Sequence, residues 1–292
     1  MPKPYDKVTQ QNKPGWLKIK LHDKSGFADV ARIVEKHQLH TICDSGKCPN
    51  KAECWSRKTA TFMILGDVCT RSCKFCATKT GKPLPTDPGE PAKVADSIKK
   101  MGLRHAVITS VTRDDLADGG AAVWAEVIKA VREENPGTTI EVLIPDMDGR
   151  EDLLDIILQA RPDIIGHNLE TVERLTPAVR SRAQYSTSLK TLRYVASRGA
   201  VAKSGLMLGL GEMEEEVMAA LDDLADAGCS IVTMGQYLQP TLEHLPVHEY
   251  VTPERFAWFG DIARFRGFSY VASAPLVRSS YLAEEALKGI KN

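Results

Sequence analysis

The sequence predicts an α/β protein whose centre is a partial (β/α)6 TIM-type barrel, with an extension at each end. After residue 60, six short apolar runs alternate with amphipathic stretches, which is the pattern of a parallel sheet with helical crossovers. The length of 292 residues also fits one barrel domain of about 250 residues with short additions. Because six units are fewer than the eight of a closed barrel, we expect a lateral opening that admits a large substrate.

The six predicted strands are short and mostly apolar, which is typical of buried parallel strands. They cover residues 62–65, 106–108, 140–144, 164–165, 205–208 and 231–234. Between them, apolar residues such as Val94, Ile98 and Met101 recur three or four positions apart, as on the buried face of a helix. We therefore expect an N-terminal extension over residues 1–60, the barrel over 61–272 and a C-terminal segment over 273–292.

Charge and hydropathy exclude several classes of protein. The 38 Lys and Arg residues balance the 38 Asp and Glu residues, so there is no general electrostatic attraction to nucleic acid or to an anionic membrane. The first sixteen residues lack the apolar core of a signal peptide, and no run is long enough to span a membrane. The sequence predicts a cytoplasmic protein with no membrane span and no nucleic-acid partner.

Six of the seven cysteines lie within 34 residues. In a reducing compartment, clustered thiols indicate metal binding or redox chemistry rather than disulfides. Each of the two groups that they form is one ligand short of a closed tetrahedral site. The groups are an N-terminal triplet, Cys43, Cys48 and Cys54, and a barrel triplet, Cys69, Cys73 and Cys76.

Three cysteines suit an iron–sulfur cubane, because three thiolates hold three irons and leave the fourth iron open to a small molecule. Structural zinc usually takes four ligands from paired CxxC or CxxH sequences. The CxxC spacing occurs once here, and His40 is the credible local fourth ligand. The barrel triplet follows the first predicted strand directly, which places it at the carboxyl ends of the strands, where barrels carry their chemistry.

The residues Cys-Thr-Arg-Ser-Cys-Lys-Phe-Cys at positions 69–76 resemble the CxxxCxxC signature of the radical S-adenosylmethionine superfamily. The resemblance implies a [4Fe-4S] cluster on Cys69, Cys73 and Cys76, whose open iron chelates the methionine part of S-adenosyl-L-methionine. Electron transfer then breaks the sulfonium and releases a 5′-deoxyadenosyl radical. Phe75 stands where the superfamily often places an aromatic ring against adenine, although packing of the loop explains this residue equally well.

A narrower resemblance involves both ends of the chain. The N-terminal triplet, shortly before CxxxCxxC and combined with Arg278-Ser279-Ser280-Tyr281, is similar to the lipoyl synthase family. This resemblance covers nearly the whole chain. It implies a second, auxiliary [4Fe-4S] cluster on Cys43, Cys48 and Cys54, with Ser280 as the fourth ligand and Ser279 as the less favoured alternative. The alternative role for Ser280 is to cap a closing helix over residues 281–288.

The resemblance implies a sulfurtransferase of lipoate biosynthesis. Such an enzyme inserts two sulfur atoms at C6 and C8 of an octanoyl chain attached to a lysine of a carrier protein, and the auxiliary cluster gives up the sulfur. Saturated carbons offer no position for acid, base or nucleophilic attack, so a radical generator and a sulfur source are both required. The implied partners are the lipoyl domains of 2-oxoacid dehydrogenases, the glycine cleavage H protein, an electron donor and an iron–sulfur cluster carrier.

The ends of the later strands supply the expected contacts to S-adenosylmethionine. Asn168 and Glu170 lie in a His-Asn-Leu-Glu pattern similar to the ribose-binding segment of biotin synthases, so we assign them to the ribose hydroxyls. Helix capping is an alternative role for Asn168 and Glu170. For glycines that precede a helix, turn geometry is an equally good explanation. The other candidates are Gly209, Gly211 and Glu212 for adenine, and Ser188 and Lys203 for the methionine carboxylate or the substrate.

Two other functions stay open at this point. Another sulfur-inserting radical enzyme, similar to biotin synthase or a methylthiotransferase, fits the barrel triplet. Against the first, biotin synthases lack the N-terminal triplet. Against the second, the chain has no basic patch for the nucleic-acid substrate of a methylthiotransferase. A non-catalytic iron–sulfur or zinc carrier fits the cysteines but does not need a barrel. We expect Asp114 and Asp115 to diverge rather than form a dyad, and Cys229 to pack as a small apolar residue.

Overall fold

The computed structural model describes residues 13–18 and 25–286. Ten strands lie within these ranges: β1 (His40–Thr41), β2 (Thr61–Ile64), β3 (Val68–Cys69), β4 (Lys79–Thr80), β5 (His105–Ser110), β6 (Thr139–Leu143), β7 (Ile164–Gly166), β8 (Val201–Leu208), β9 (Ile231–Gln236) and β10 (Tyr270–Ser273). The helices are α1 (Ser25–Lys36), α2 (Ile42–Ser45), α3 (Lys51–Ser56), α4 (Glu90–Met101), α5 (Ala121–Glu134), α6 (Glu151–Gln159), α7 (Thr176–Val179), α8 (Tyr185–Ser197), α9 (Glu214–Asp226) and α10 (Pro253–Phe265). Short 3-10 helices cover Gly15–Leu17, Met147–Gly149, Glu173–Leu175 and Ala283–Glu285.

The main sheet has eight strands in the order β1-β2-β5-β6-β7-β8-β9-β10. All neighbours in this sheet are parallel except β1, which pairs antiparallel with β2. The two end strands, β1 and β10, do not pair with each other in the described residues, so the barrel is partial. The fold class predicted from the sequence is confirmed.

Each of the six predicted βα units is present, and the sheet is longer than predicted at both ends. The additional parallel strand β10 is not among the six predicted strands, although its residues Tyr270 and Val271 favour strands. The sequence does not indicate β1, because that strand is only two residues long. The strand β1 belongs to the N-terminal extension, which therefore continues the sheet of the barrel.

The outer helices are held by the apolar faces that the sequence indicates. On α4, Val94 and Ile98 have no solvent exposure and Met101 is 7% exposed. Burial of one such aliphatic side chain stabilises the fold by about 1.5–3 kcal/mol. The helix ends at Gly102, whose φ of 64° is the left-handed conformation that closes helices. Cys229 is buried in the core as predicted.

The N-terminal extension packs as a small helical layer beside β2. The rings of Phe27 and Trp55 are 5.0 Å apart between centroids, and Trp55 is 2% exposed. A Cβ at Gly26 would lie 2.2 Å from the carbonyl oxygen of Ser56, so only glycine permits this approach of α1 to α3. Among the described residues, no helix is both long and apolar enough to cross a membrane.

Candidate radical and sulfur site

A cavity of about 520 Å³ opens at the carboxyl ends of the barrel strands. The barrel triplet lines one part of its wall, together with residues that follow β5, β6, β7, β8 and β9. Another part of the wall comes from both chain ends: Ile42, Gly46, Lys47 and Pro49 from the N-terminal extension, and Val277, Arg278 and Ser279 from the C-terminal segment. The two motifs that are far apart in the sequence therefore border one space.

The cysteine loop, residues 69–78, runs from β3 to β4, which pair with each other. The backbone N–H groups of Arg71 and Thr112 donate to Cys69 Sγ at 3.4 and 3.3 Å. Cys73 Sγ lies 3.7 Å from the hydroxyl oxygen of Ser181. These contacts hold the Cys69 and Cys73 sulfur atoms in position on the loop.

The thiols of the barrel triplet are free, and all three line the cavity. Burial raises the pKa of Cys76, hydrogen bonds from Thr78 oppose that rise, and the negative charges of Cys73 and Cys69 add to it. This mutual influence is expected of thiols that converge on one position. An electron-withdrawing metal cluster bound at that position would favour deprotonation of all three.

Arg71 ties the cysteine loop to the ends of the next two strands. Its Nε and Nη2 donate to the carboxylate of Asp114 at 2.9 and 2.8 Å, and its Nη1 donates to Asp146 at 2.7 Å. Its Nη2 also donates to Asp148 at 3.2 Å. Burial acts to raise the pKa of Asp146, but the hydrogen bond from Arg71 and the positive charges nearby outweigh burial and hold that pKa below its usual value.

The N-terminal triplet is placed by α2 and α3. Burial, together with the charges of Cys43 and Cys48, raises the pKa of Cys54 to about 12. Burial also raises the pKa of Cys48, where the charge of Cys43 adds to the rise and the guanidinium of Arg278 opposes it. The three thiols are thus near one another and near the Arg-Ser-Ser-Tyr sequence, although about 225 residues of chain separate them.

Two long-range hydrogen bonds fix the C-terminal segment beside the N-terminal triplet. Asn50 Nδ2 donates to the carbonyl oxygen of Leu276 at 2.7 Å, and the Tyr281 hydroxyl donates to Glu53 at 2.9 Å. These bonds hold the chain on both sides of Ser280. A Cβ at Gly235 would lie 2.0 Å from the Val277 carbonyl oxygen, so glycine at the end of β9 permits the segment to pass.

The capping role for Ser280 has little support. The described residues contain a 3-10 helix from Ala283 to Glu285 that is preceded by Leu282, and no side chain caps it. The remainder of the predicted closing helix, residues 287–288, lies outside the described residues. Ser280 is half-buried, and its hydroxyl forms no hydrogen bond with any residue that the structure describes.

Polar side chains after β7 face the same cavity. Asn168 Nδ2 donates to Glu170 at 3.2 Å, while the buried Asn168 Oδ1 has no hydrogen-bond partner in the described chain. Burial raises the pKa of Glu170, although the charge of Arg180 opposes the rise. Glu170 has a φ of 70°, which is unusual for a residue with a side chain and is typical of functional sites. Phe75 also lines the cavity.

Two of the predicted contact residues, Ser188 and Lys203, lie behind the cavity wall. Ser188 is fully buried on α8; its Oγ lies 2.9 Å from His167 Nε2 and accepts from Arg180 Nη1 at 3.0 Å. Lys203 is buried inside the barrel, where its Nζ donates to Glu141 at 2.6 Å. Both residues therefore support neighbours in the described structure and do not themselves line the cavity.

The turn at Gly209, Gly211 and Glu212 is also outside the cavity wall. The Glu212 carboxylate accepts from the backbone N–H groups of Gly209 and Leu210 at 2.5 and 2.9 Å. A Cβ at Gly209 would lie 2.2 Å from Gln236 Nε2, and both glycines have φ near 100°. Turn geometry and close packing explain these residues without a ligand.

Sequence reasoning missed three arginines that line the cavity: Arg71, Arg180 and Arg278. Arg180 Nε is buried without a hydrogen-bond partner in the described chain. Two of them could have been found from the sequence, since Arg71 lies within the cysteine motif and Arg278 begins the Arg-Ser-Ser-Tyr sequence. Arg180 belongs to no motif, so nothing in the sequence pointed to it. Asp114 and Asp115 diverge as predicted, since Asp114 pairs with Arg71 and Asp115 pairs with Arg113.

The described side chains suit a metal cluster better than one ion. No three His, Cys, Asp or Glu residues in the described ranges are close enough to hold a single metal ion. A four-iron cubane is larger than one ion, so its thiolates stand further apart. Free thiols in two groups of three, with donors aimed at sulfur, fit clusters of this kind.

Comparison with known proteins agrees with this geometry. A family model described as the radical SAM superfamily matches residues 63–224, which is more than half of the chain. The barrel and the cysteine loop therefore define a member of the radical S-adenosylmethionine superfamily. A lipoyl synthase of Parabacteroides distasonis is 60% identical over 94% of this chain and 97% of its own length. A lipoyl synthase of Porphyromonas gingivalis is 59% identical over 94% and 98%. The chain belongs to the lipoyl synthase family.

Solved structures support the fold alone. The FeFe-hydrogenase maturase HydG from Carboxydothermus hydrogenoformans aligns with a TM-score of 0.57 and 14% identity, covering 90% of this chain and 78% of that one. Streptococcus suis SuiB bound to S-adenosylmethionine aligns with a TM-score of 0.55 and 10% identity, covering 69% and 46%. Identities this low carry no information about substrate.

Proposed function

We propose that this protein is the enzyme that inserts two sulfur atoms at C6 and C8 of an octanoyl group attached to a lysine of a carrier protein. Membership of the lipoyl synthase family supports this reaction. The carriers that we propose are lipoyl domains of 2-oxoacid dehydrogenases and the glycine cleavage H protein. An electron donor and an iron–sulfur cluster carrier complete the set of partners.

The observation that carries the proposal is the single cavity bordered by both cysteine regions. One wall holds Cys69, Cys73 and Cys76, and the other wall is formed by the segments that flank Cys43, Cys48 and Ser280. A radical and a sulfur donor must both reach the same saturated chain, so they need one shared space. A carrier of clusters or zinc has no such requirement.

Two groups of residues hold the proposed cofactors. A [4Fe-4S] cluster on the barrel triplet supplies the electron that cleaves S-adenosylmethionine, and a second cluster on the N-terminal triplet and Ser280 supplies sulfur. Arg71 holds the cysteine loop in position through Asp114 and Asp146. Arg278 offsets the negative charge of the auxiliary thiolates.

The polar wall after β7 suits S-adenosylmethionine. Asn168 Oδ1 is a buried acceptor without a partner in the described chain, and we assign it, with Glu170, to the ribose hydroxyls. We assign Arg180 Nε, a buried donor without a partner in the described chain, to the methionine carboxylate. Ser188 then acts through Arg180, to which it is hydrogen-bonded. Phe75 remains our candidate for packing on the adenine.

The test is anaerobic incubation of reconstituted protein with reductant, S-adenosylmethionine and an octanoyl-lysine peptide, followed by mass spectrometry. We expect a gain of two sulfur atoms and about one product per chain when no cluster carrier is added. Cys69→Ala should abolish 5′-deoxyadenosine formation. Cys43→Ala should still form 5′-deoxyadenosine but insert no sulfur.

Cys229→Ala is the matched control, because this buried thiol precedes the amino end of β9 and does not line the cavity, and it should retain both activities. A peptide that gains no sulfur while 5′-deoxyadenosine accumulates in the wild type would contradict the proposed substrate. Many products per chain without added sulfide or carrier would contradict the sacrificial role of the auxiliary cluster.

A further inference from the structure

Two exposed lysines line the cavity and two more lie on the chain between β3 and α4, and the proposed chemistry uses none of these charges. Lys13 and Lys47 are exposed and line the cavity. Lys74 is exposed on the cysteine loop, and Lys82 is exposed just after β4. Within the described ranges, none of these four ammonium groups forms an ion pair or a hydrogen bond. We call these four residues the lysine rim.

Most acidic side chains on the segments that carry or contact these lysines, residues 42–49, 67–89 and 240–245, are paired with other lysines. Glu243, on the loop after β9, is exposed and is the exception. The chain as a whole has zero net charge, so the rim is a local concentration of unpaired cations. The neutralised pairs are Asp44 with Lys51, Asp67 with Lys79 and Asp87 with Lys93.

Exposed apolar side chains accompany the lysine rim. Leu84 and Leu242 are each 79% exposed, and both lie on loops that carry or contact rim lysines. Leu242 lies on the loop after β9, and this loop is fixed to the cysteine loop where the Leu245 N–H donates to the Lys74 carbonyl oxygen at 3.1 Å. Charged rims with apolar anchors are typical of protein docking surfaces.

We propose that the lysine rim docks the carrier protein, and that it selects carriers whose octanoyl-lysine is surrounded by acidic residues. This inference rests on the proposed function, because it takes the octanoyl-lysine as the substrate. An acidic protein fits better than a nucleic acid, because the exposed leucines add to contacts with a protein but not to contacts with a phosphate backbone.

The test is fluorescence anisotropy of two labelled octanoyl-lysine peptides of equal length. One peptide has Asp and Glu around the modified lysine, and the other has Ser and Gly. The acidic peptide should bind more tightly, and raising the ionic strength from about 0.01 to 0.15 M should remove most of the difference, since the screening length falls from about 30 to 8 Å. The combined variant K47E/K74E/K82E should lose about tenfold or more in affinity for the acidic peptide, at about threefold per lysine.

The controls separate docking from folding and from chemistry. K129E changes an exposed lysine on α5, outside the cavity lining, and should bind both peptides as the wild type does. The combined rim variant should bind the neutral peptide with less than about a twofold change, since no charge pair is lost there. Equal affinity of the wild type for both peptides, or an equal loss in K129E, overturns the proposal.

A further competitor tests the class of partner. A single-stranded DNA of twelve nucleotides that displaces the acidic peptide at equal concentration would overturn the assignment to a protein.

Binding requires no turnover, so the proposed function can fail independently of the docking proposal. If the acidic peptide binds as expected but never gains sulfur, the docking surface stands and the proposed reaction falls. If both peptides gain sulfur with equal KM, the docking proposal falls and the reaction stands.

Discussion

Arg71→Met should destabilise the protein strongly, because the buried Asp146 carboxylate would lose its ion pair and keep the backbone N–H of Asp148, at 3.2 Å, as a donor. The Arg71 side chain is 5% exposed, and that of Asp146 is 2% exposed. Asp114, at 15%, keeps its hydrogen bond to the Thr70 hydroxyl, and Asp148, at 51%, is hydrated. Most of the cost therefore falls on Asp146. Removal of one partner of a buried pair costs about 3–5 kcal/mol, which corresponds to a fall in Tm of about 6–20 °C for a domain of this size.

The loss of unfolding free energy in Arg71→Met should depend on pH in one definite direction. Because the pKa of Asp146 is held below its usual value of 3.8, its ion pair stabilises the wild type above that pH and the contribution is lost as the pH falls through the lowered pKa. In Arg71→Met the burial that remains raises this pKa, so the charged form is a penalty at neutral pH. The difference in unfolding free energy should be largest at neutral pH and should shrink toward acid.

The assay is thermal unfolding of the cluster-free protein, followed by circular dichroism at several pH values. Adding Asp146→Asn to Arg71→Met should recover much of the loss, since it removes the stranded charge. Arg150→Met is the control, because Arg150 pairs with Asp152 on the surface and should contribute little. A fall in stability below about 1 kcal/mol, or one independent of pH, would refute the reasoning.

Three further predictions concern the cavity. Ser280→Cys should retain the auxiliary cluster but slow sulfur transfer, since a thiolate holds iron more firmly than a serine oxygen. Ser280→Ala should lower the iron content of the auxiliary cluster. Normal iron content and full lipoyl formation in Ser280→Ala would show that Ser280 has a structural role instead. Gly235→Ala should displace the C-terminal segment and lower the iron content, since the new Cβ would meet the Val277 carbonyl oxygen. Gly15→Ala is the control: its Cβ would meet nothing within 4 Å, so it should match the wild type in an iron assay. Because burial raises the pKa of Glu170, binding of S-adenosylmethionine measured by calorimetry should strengthen as the pH rises above 4.5, and Glu170→Gln should remove that dependence.

The parts of the fold that the sequence can predict are those set by local pattern. Buried parallel strands leave apolar runs, so the sequence indicates six of them, and the spacing of the cysteines alone indicates both triplets. The strand β10 escapes this pattern, because its apolar stretch is only three residues long and its side chains are half-buried instead of buried. Its place in the sheet depends on pairing with β9, which is a tertiary property.

Contacts between strand ends are harder to predict, because they depend on which loops meet. Arg71 reaches carboxylates 43, 75 and 77 residues away, and no periodicity encodes such distances. The same limit explains the assignments that the geometry does not support. Ser188 and Lys203 each point to an internal partner instead of the cavity.

The docking of the C-terminal segment sets an order in which the two cysteine regions become complete. The barrel triplet closes within eight residues of chain, so its loop can form as soon as the first strands pair. The other wall depends on hydrogen bonds between residues 226 and 228 positions apart, which cannot form until Leu276 and Tyr281 have been synthesised. Closing such long loops is slow relative to local folding. The cysteine loop therefore needs only local chain to form, whereas the wall beside the N-terminal triplet needs contacts that span most of the sequence.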